Sequence, residues 1–145
     1  MTLESNKALV RRVLEEAWHA KNIDAVDELF AANFVNHDPD APDAGHRDGY
    51  KQWATGLLSA FPDLRVTIEA LIAEGDHVAK RWTARGTNTG AIPGLGTTGR
   101  QVTFTGVTIY RIVDGKVAEC WWNRDTSGLM HQLAGTPAGA EALST

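Results

Sequence analysis

Leu9, Val10, Val13, Leu14, Ala17 and Trp18 recur at helical spacing, with Arg11, Arg12, Glu15 and Glu16 set between them. That pattern predicts an amphipathic first helix. Ile23, Val26, Leu29 and Phe30 share one face of a second, shorter helix, with Asn22 placed to cap it. The stretch FVNHDPDAPDAGHRDG then reads as a loop, dense in Asp, Pro and Gly and carrying two histidines. A third helix is expected from near His46. It carries Tyr50, Trp53, Ala54, Leu57 and Leu58 and ends before Pro62.

After Phe61-Pro62-Asp63 the period changes to two. Leu64, Val66, Ile68 and Ala70 alternate with Arg65, Thr67 and Glu69 as in a half-buried strand. Glu74-Gly75-Asp76 reads as a turn, and HVAKRWTARGT as the returning strand. A Gly-rich loop, GAIPGLGTTGR, leads to the long strand QVTFTGVTIYRIV, and a turn at Asp114-Gly115 sends the chain back through KVAECWWNRD. SGLMHQLAG is a short helical segment, and PAGAEALST a small-residue tail expected to be mobile. Three helices followed by an antiparallel meander predict an α+β fold, with one domain over 1–135 and the tail over 136–145. Helices laid across the concave side of a strongly bent sheet would enclose a pocket.

The bulk numbers fit that picture. At 145 residues, 43% hydrophobic and 22% charged, the chain has the make-up of one soluble globular domain. A net charge of −4 without any run of Lys and Arg argues against nucleic acid as a partner. The charged, interrupted N-terminal segment is neither a signal peptide nor a membrane span, so no membrane partner is expected and a cytoplasmic location is the default. Cys120 is the single cysteine, which rules out an internal disulfide.

Several motifs carry candidate chemistry. GLGTTG, Gly94 to Gly99, has the spacing of a dinucleotide fingerprint, but Pro93 precedes it and a strand follows, so it reads as a loop. His37, between Asn36 and Asp38, is of the residue type suited to proton transfer near neutral pH, and a surface loop histidine is an equal reading. His19, His46, His77 and His131 show no ligand spacing, so no metal is expected. Asp125 follows the strand end either as a pocket carboxylate or as an N-cap. Arg81 could meet an acidic substrate, although pairing with a cross-strand carboxylate such as Glu69 is the commoner fate. Cys120 reads as a small apolar wall residue rather than a nucleophile.

NHDP near position 37, AFPDLRVTIEALIAEGDHVAKRWTARGT at 60–87, TGRQVTFTGVTIYRI at 98–112 and DGKVAECWWNRDTSGLMHQL at 114–133 together resemble the SnoaL-like polyketide cyclases. This family, also called ester-cyclase-like, lies within the NTF2-like superfamily. The resemblance implies a cone-shaped α+β barrel with a strongly bent antiparallel sheet, three N-terminal helices and a deep, largely apolar pocket. It also implies a homodimer or higher oligomer through the outer sheet face. Such cyclases close a ring by intramolecular aldol addition without metal or organic cofactor, using an aspartate as general acid and base. In ECWWNRD the family's aspartate position falls on Trp122 and a histidine position on Cys120.

Strand alternation puts Cys120, Trp122 and Arg124 on one face and Glu119, Trp121 and Asn123 on the other, and the resemblance makes the first face the inner one. A three-residue turn, Val113-Asp114-Gly115, would oppose Thr108 to Cys120 and Gly106 to Trp122, leaving room for the indole. Trp122 can only donate, so the proton-transfer role passes to His37 first, then to Asp125 or Asp38. Trp18, Trp53, Arg81, Phe104, Thr108, Tyr110, Cys120 and Trp122 are the expected substrate-binding set. The leading expectation is a cofactor-independent enzyme for a hydrophobic, carbonyl-containing small molecule. The alternatives are a non-catalytic binder of an aromatic or lipid-like ligand, and an epoxide hydrolase needing Arg81 to converge with Asp38 or Asp125. Trp121, Val107 and Ile109 on the outer face predict a homodimer.

Overall fold

A computed structural model describes residues 2–92 and 95–135. The expected mobile tail, 136–145, lies outside the described residues. Helix α1 spans Leu3–Arg12 and opens on a reciprocal cap, in which Ser5 N donates to Thr2 Oγ1 and Thr2 N to Ser5 Oγ. It continues through Val13–His19 as a wider helix, closed where Ala20 N donates to the carbonyl of Glu15 five residues back. The predicted face is buried: Leu9, Val10, Val13, Leu14, Ala17 and Trp18 all lie in the core.

Helix α2 (Ala25–Leu29) is shorter than expected, and Phe30 does not belong to it. Instead Phe30–His37 forms strand β1, in a stretch the sequence presents as helix end and loop. β1 escapes periodicity because it is irregular: its register slips between Phe30 and Val35, and the alternation of buried Phe34 and Asn36 with exposed Val35 and His37 lapses over Ala31, Ala32 and Asn33. A tight turn at Pro42–Ala44 leads to α3 (Arg47–Ala60), which starts just after His46, as expected. Strands β2 (Arg65–Glu74), β3 (His77–Thr87), β4 (Gln101–Val113) and β5 (Lys116–Arg124) form the predicted meander, and α4 (Thr126–Leu133) closes the described chain.

The sheet order is β1-β5-β4-β3-β2. β1 runs parallel to β5 and every other pair is antiparallel, so the sheet is mixed rather than wholly antiparallel. It is open as well. β1 and β2 stay at opposite edges, α3 packs on β1 and α1 on β2 and β3, so helices rather than strand pairing cover the inner face.

The β4–β5 register also differs from expectation. Asp114 and Gly115 both take positive φ, 51° and 75°, the geometry of a two-residue hairpin turn, and Val113 faces Lys116. A register shift between Arg111 and Ile112 then leaves Ala118 unopposed on β5. Thr108 consequently faces Trp122, Tyr110 faces Cys120 and Gly106 faces Arg124. Because the shift is even, the faces are as predicted, with Cys120 and Trp122 inside. The role of Gly106 is corrected: a Cβ there would lie 2.4 Å from Cζ2 of Trp82, so the missing side chain makes room for Trp82, not Trp122.

Candidate active site

The inner sheet face and helices α1, α3 and α4 enclose a cavity of about 460 Å³. Its walls are mainly aromatic and aliphatic, with Trp18, Trp53, Trp82, Phe104 and Trp122 beside Leu57, Leu64, Leu129 and Leu133. The rings brace one another edge to face: Trp53 and Trp122 have centroids 5.5 Å apart, and Trp82 and Phe104 5.8 Å. The cavity's indole N–H donors are largely turned away from a ligand. Trp18 donates to Tyr50 Oη at 3.2 Å, Trp82 to Thr108 Oγ1 at 3.0 Å and Trp122 to Asn36 Oδ1 at 2.8 Å. These bonds fix the walls and leave ring faces for contact.

Two cations interrupt this apolar surface. Arg124, at the end of β5, has its guanidinium carbon 5.0 Å from the Trp53 ring centre and 5.6 Å from that of Trp122. It is ion-paired with Asp38, and its Nε lies 3.9 Å from Asp40 Oδ2. Asp40 lines the cavity and accepts a hydrogen bond from Thr126 Oγ1 at 2.6 Å. The second cation is Lys80, on the inner face of β3, with only 4% of its surface exposed. Its Nζ stands 5.3 Å from the centre of the Tyr110 ring and makes no hydrogen bond or ion pair among the described residues. Burial pulls the Lys80 ammonium down to about 8, since an apolar surrounding penalises the charged form.

The placement of the expected residues divides cleanly. Trp18, Trp53, Phe104 and Trp122 line the cavity. Thr108, Tyr110 and Cys120 are buried one layer behind it, and burial pushes the Cys120 thiol and the Tyr110 hydroxyl up, holding both protonated. Arg81 is corrected: it is exposed on the outer face, because β3 alternates and its neighbour Lys80 takes the inner one. His37 is corrected as well. Its side chain is 46% exposed on the outer face, where its Nε2 lies 2.6 Å from Glu119 Oε2 and its ring stacks on Trp121 at 5.3 Å. The hydrogen bond from His37, then that from Arg111, holds the Glu119 carboxyl below its ordinary range.

Asp125 is the N-cap of α4, accepting from Gly128 N at 2.9 Å, and does not line the cavity. Asp38 is inside the fold but reaches the cavity only through Arg124. The residues missed from sequence are Lys80, Trp82, Asp40 and Arg124. Lys80 and Trp82 share strand parity with the apolar Val78 and Ala84, which was the available signal. Arg124 shared the inner-face parity of Cys120 and Trp122, but its convergence with Asp40 had no signal, because it depends on the undetected strand β1.

Among the described residues, no group of three or more His, Cys, Asp or Glu side chains is placed to hold a metal ion. No described helix is long and apolar enough to cross a membrane.

Comparison with known proteins gives the same outline. The SnoaL-like polyketide cyclase family model matches residues 8–133. A protein of Acidithiobacillus ferrooxidans, provisionally named a polyketide cyclase, is similar in structure with a TM-score of 0.83 and 31% identity, over 94% of this chain and 99% of that one. AclR of Streptomyces galilaeus, provisionally named a hydroxylase, has a TM-score of 0.82 and 28% identity, over 94% and 100% of the two chains. IdmH of Streptomyces antibioticus, provisionally named a polyketide cyclase, has a TM-score of 0.79 and 28% identity, over 89% and 98%. Among curated proteins none matches.

Proposed function

The chain belongs to the SnoaL-like polyketide cyclase family, and from that premise we propose that it closes a carbon ring in a hydrophobic, carbonyl-containing small molecule by metal-free aldol-type chemistry. One observation carries the reading. An aromatic-walled cavity presents two cations, Lys80 and Arg124, while the indole N–H groups of Trp18, Trp82 and Trp122 are used inside the protein. A flat substrate meets ring faces, and its carbonyl oxygens meet the cations. Negative charge develops on such an oxygen as the neighbouring C–H bond breaks, and a pre-placed cation in a poorly solvated site stabilises it.

Arg124 is held for that role by Asp38 on its hidden side, and Asp38 is therefore a positioning residue. Asp40 is the carboxylate at the cavity wall and takes the α-proton. The proton-transfer roles expected of His37 and Asp125 pass to groups that line the cavity. The partner is a small hydrophobic carbonyl compound, and the outer sheet face is proposed to close on a second copy of the chain.

The bicyclic aromatic ketone 2-tetralone tests the reading. It should quench the tryptophan fluorescence saturably and exchange its α-protons for deuterium faster with the protein than without it. Saturable binding without added exchange would leave a non-catalytic carrier, and no binding would remove the reading altogether.

A second reading, hydration of an epoxide, draws on the Asp38–Arg124–Asp40 grouping. There a carboxylate would activate water while the acid partner protonates the opening oxygen. Turnover of styrene oxide to its diol, lost in Asp40→Asn, would favour it over ring closure.

A further inference from the structure

The chain has five lysines, and four of them are tied to partners. Lys7 meets Glu4, and Lys51 meets Asp24 and Asp27. Lys21 donates to the carbonyl of Pro62 and Lys116 to that of Glu28. Lys80 alone has neither a hydrogen bond nor an ion pair among the described residues, and it is the lysine that lines the cavity. Its strand neighbours across the sheet are Leu71 and Thr108, and Tyr110 lies under the amine. The carboxylates closest to the cavity, Asp38 and Asp40, are both drawn to Arg124 instead.

We infer that Lys80 is a nucleophile, which forms an imine with a ketone carbon of the hydrophobic substrate and carries ring closure through the derived enamine. The inference rests on the carbonyl-compound reading above and names the group that does the carbon chemistry.

A lysine kept to anchor an anion is most stable beside a carboxylate when the site is empty, and Lys80 has none. The apolar walls favour the neutral amine, whose lone pair is then free to attack. With the amine drawn down to about 8, roughly one molecule in ten carries it neutral at pH 7. A lysine desolvated in an apolar pocket is one of the standard forms of activated nucleophile.

The steps balance without an oxidant or a metal. The neutral amine adds to the carbonyl carbon, and with one proton taken from solvent the resulting carbinolamine loses its hydroxyl as water, leaving a protonated imine. The protonated imine makes the adjacent C–H acidic, Asp40 accepts that proton, and the enamine results. Its carbon attacks a second carbonyl of the same molecule, forming the C–C bond, and the new alkoxide takes the proton back from Asp40. Water then adds to the iminium, releasing the ring-closed product, returning Lys80 as the amine and giving the proton back to solvent. The Arg124 guanidinium faces the alkoxide that develops.

The test is reductive trapping of the whole protein with 2-tetralone and cyanoborohydride, read by intact mass and peptide mapping. The expected result is a single adduct, heavier by the ketone less one oxygen, on the peptide containing Lys80 and in excess over the other four lysines. Lys80→Arg keeps a cation but cannot form the imine and should lose both the adduct and the α-deuterium exchange. Labelling of wild type spread over surface lysines would overturn the inference, whether or not the variant folds. If Lys80→Arg still binds and deuterates the ketone, the cyclase reading stands and the imine does not. If wild type does not bind the ketone at all, both fall.

Discussion

Arg124 and Asp38 form an ion pair inside the fold, with side chains 10% and 1% exposed, joining the end of β5 to the segment just after β1. Little solvent screens the pair, and Asp38 has a further duty as acceptor from Asp40 N at 3.0 Å. Removing the carboxylate charge leaves a guanidinium against Trp53 and Trp122 with only the more distant Asp40.

Asp38→Asn is therefore expected to cost about 3–5 kcal/mol, the usual penalty for orphaning one member of a buried pair. Asp38→Asn combined with Arg124→Met should recover most of that loss while ligand binding weakens. Urea denaturation of the two variants checks it, and equal destabilisation in both would contradict the pairing argument.

Trp122 fills the position where the family resemblance places an aspartate, and its N–H is committed to Asn36 Oδ1 at 2.8 Å. Trp122→Phe should cost about 1–3 kcal/mol, because it strands a buried amide oxygen. Trp122→Asp removes a large wall group and should cost about 3–5 kcal/mol if the cavity does not collapse. Denaturation midpoints should therefore fall in the order wild type, Phe, Asp. A Phe variant as stable as wild type would show that the hydrogen bond carries no weight.

The helices, the meander and the separation of Cys120 and Trp122 from Trp121 were legible in the sequence because each depends on a regular local period, while the family resemblance supplied which of the two faces is the inner one. The candidate site was less so. β1 has a broken alternation, and only through β1 do Asn36, Asp38 and Asp40 reach the end of β5. Arg81 was read as a possible partner for an acidic substrate without its neighbour Lys80 being weighed, whereas parity with Trp82 decides which of two adjacent cations faces inward. His37 sat beside the right residues in sequence, yet a strand turns neighbours to opposite faces, so Asp38 went in and His37 out. The even shift of the β4–β5 register explains how a wrong turn length still gave correct faces.

On the outer face, Val107 and Ile109 are 39% and 38% exposed, in the same sheet as Trp121 with its stacked His37 and His77. An apolar patch of this kind is covered in most stable proteins. Wild type is expected to run as a dimer in light scattering at micromolar concentration. Val107→Lys with Ile109→Lys should give a folded monomer. A wild type that is already monomeric would end the proposal.

Lys80 should be a stability liability that the function maintains. Its folded-state value of about 8, against an ordinary 10.5, means that near neutral pH the native protein holds a charged amine where a neutral one is preferred. The difference corresponds to about 3 kcal/mol. Lys80→Met replaces the amine by an apolar chain of similar reach, so at pH 7 the variant should be more stable by about 2–3 kcal/mol, the Tyr110 contact offsetting part of the gain. The sign reverses nothing but narrows the gap as pH rises. Above about 8 the native amine is neutral, while the unfolded chain keeps its proton until about 10.5, so wild type gains stability across that window and the variant does not. Urea titrations at pH 7, 9 and 10 should show the difference shrinking stepwise. A difference that stays constant over this range would mean that Lys80 keeps its proton in the native cavity, and with it would go the free lone pair on which imine formation depends.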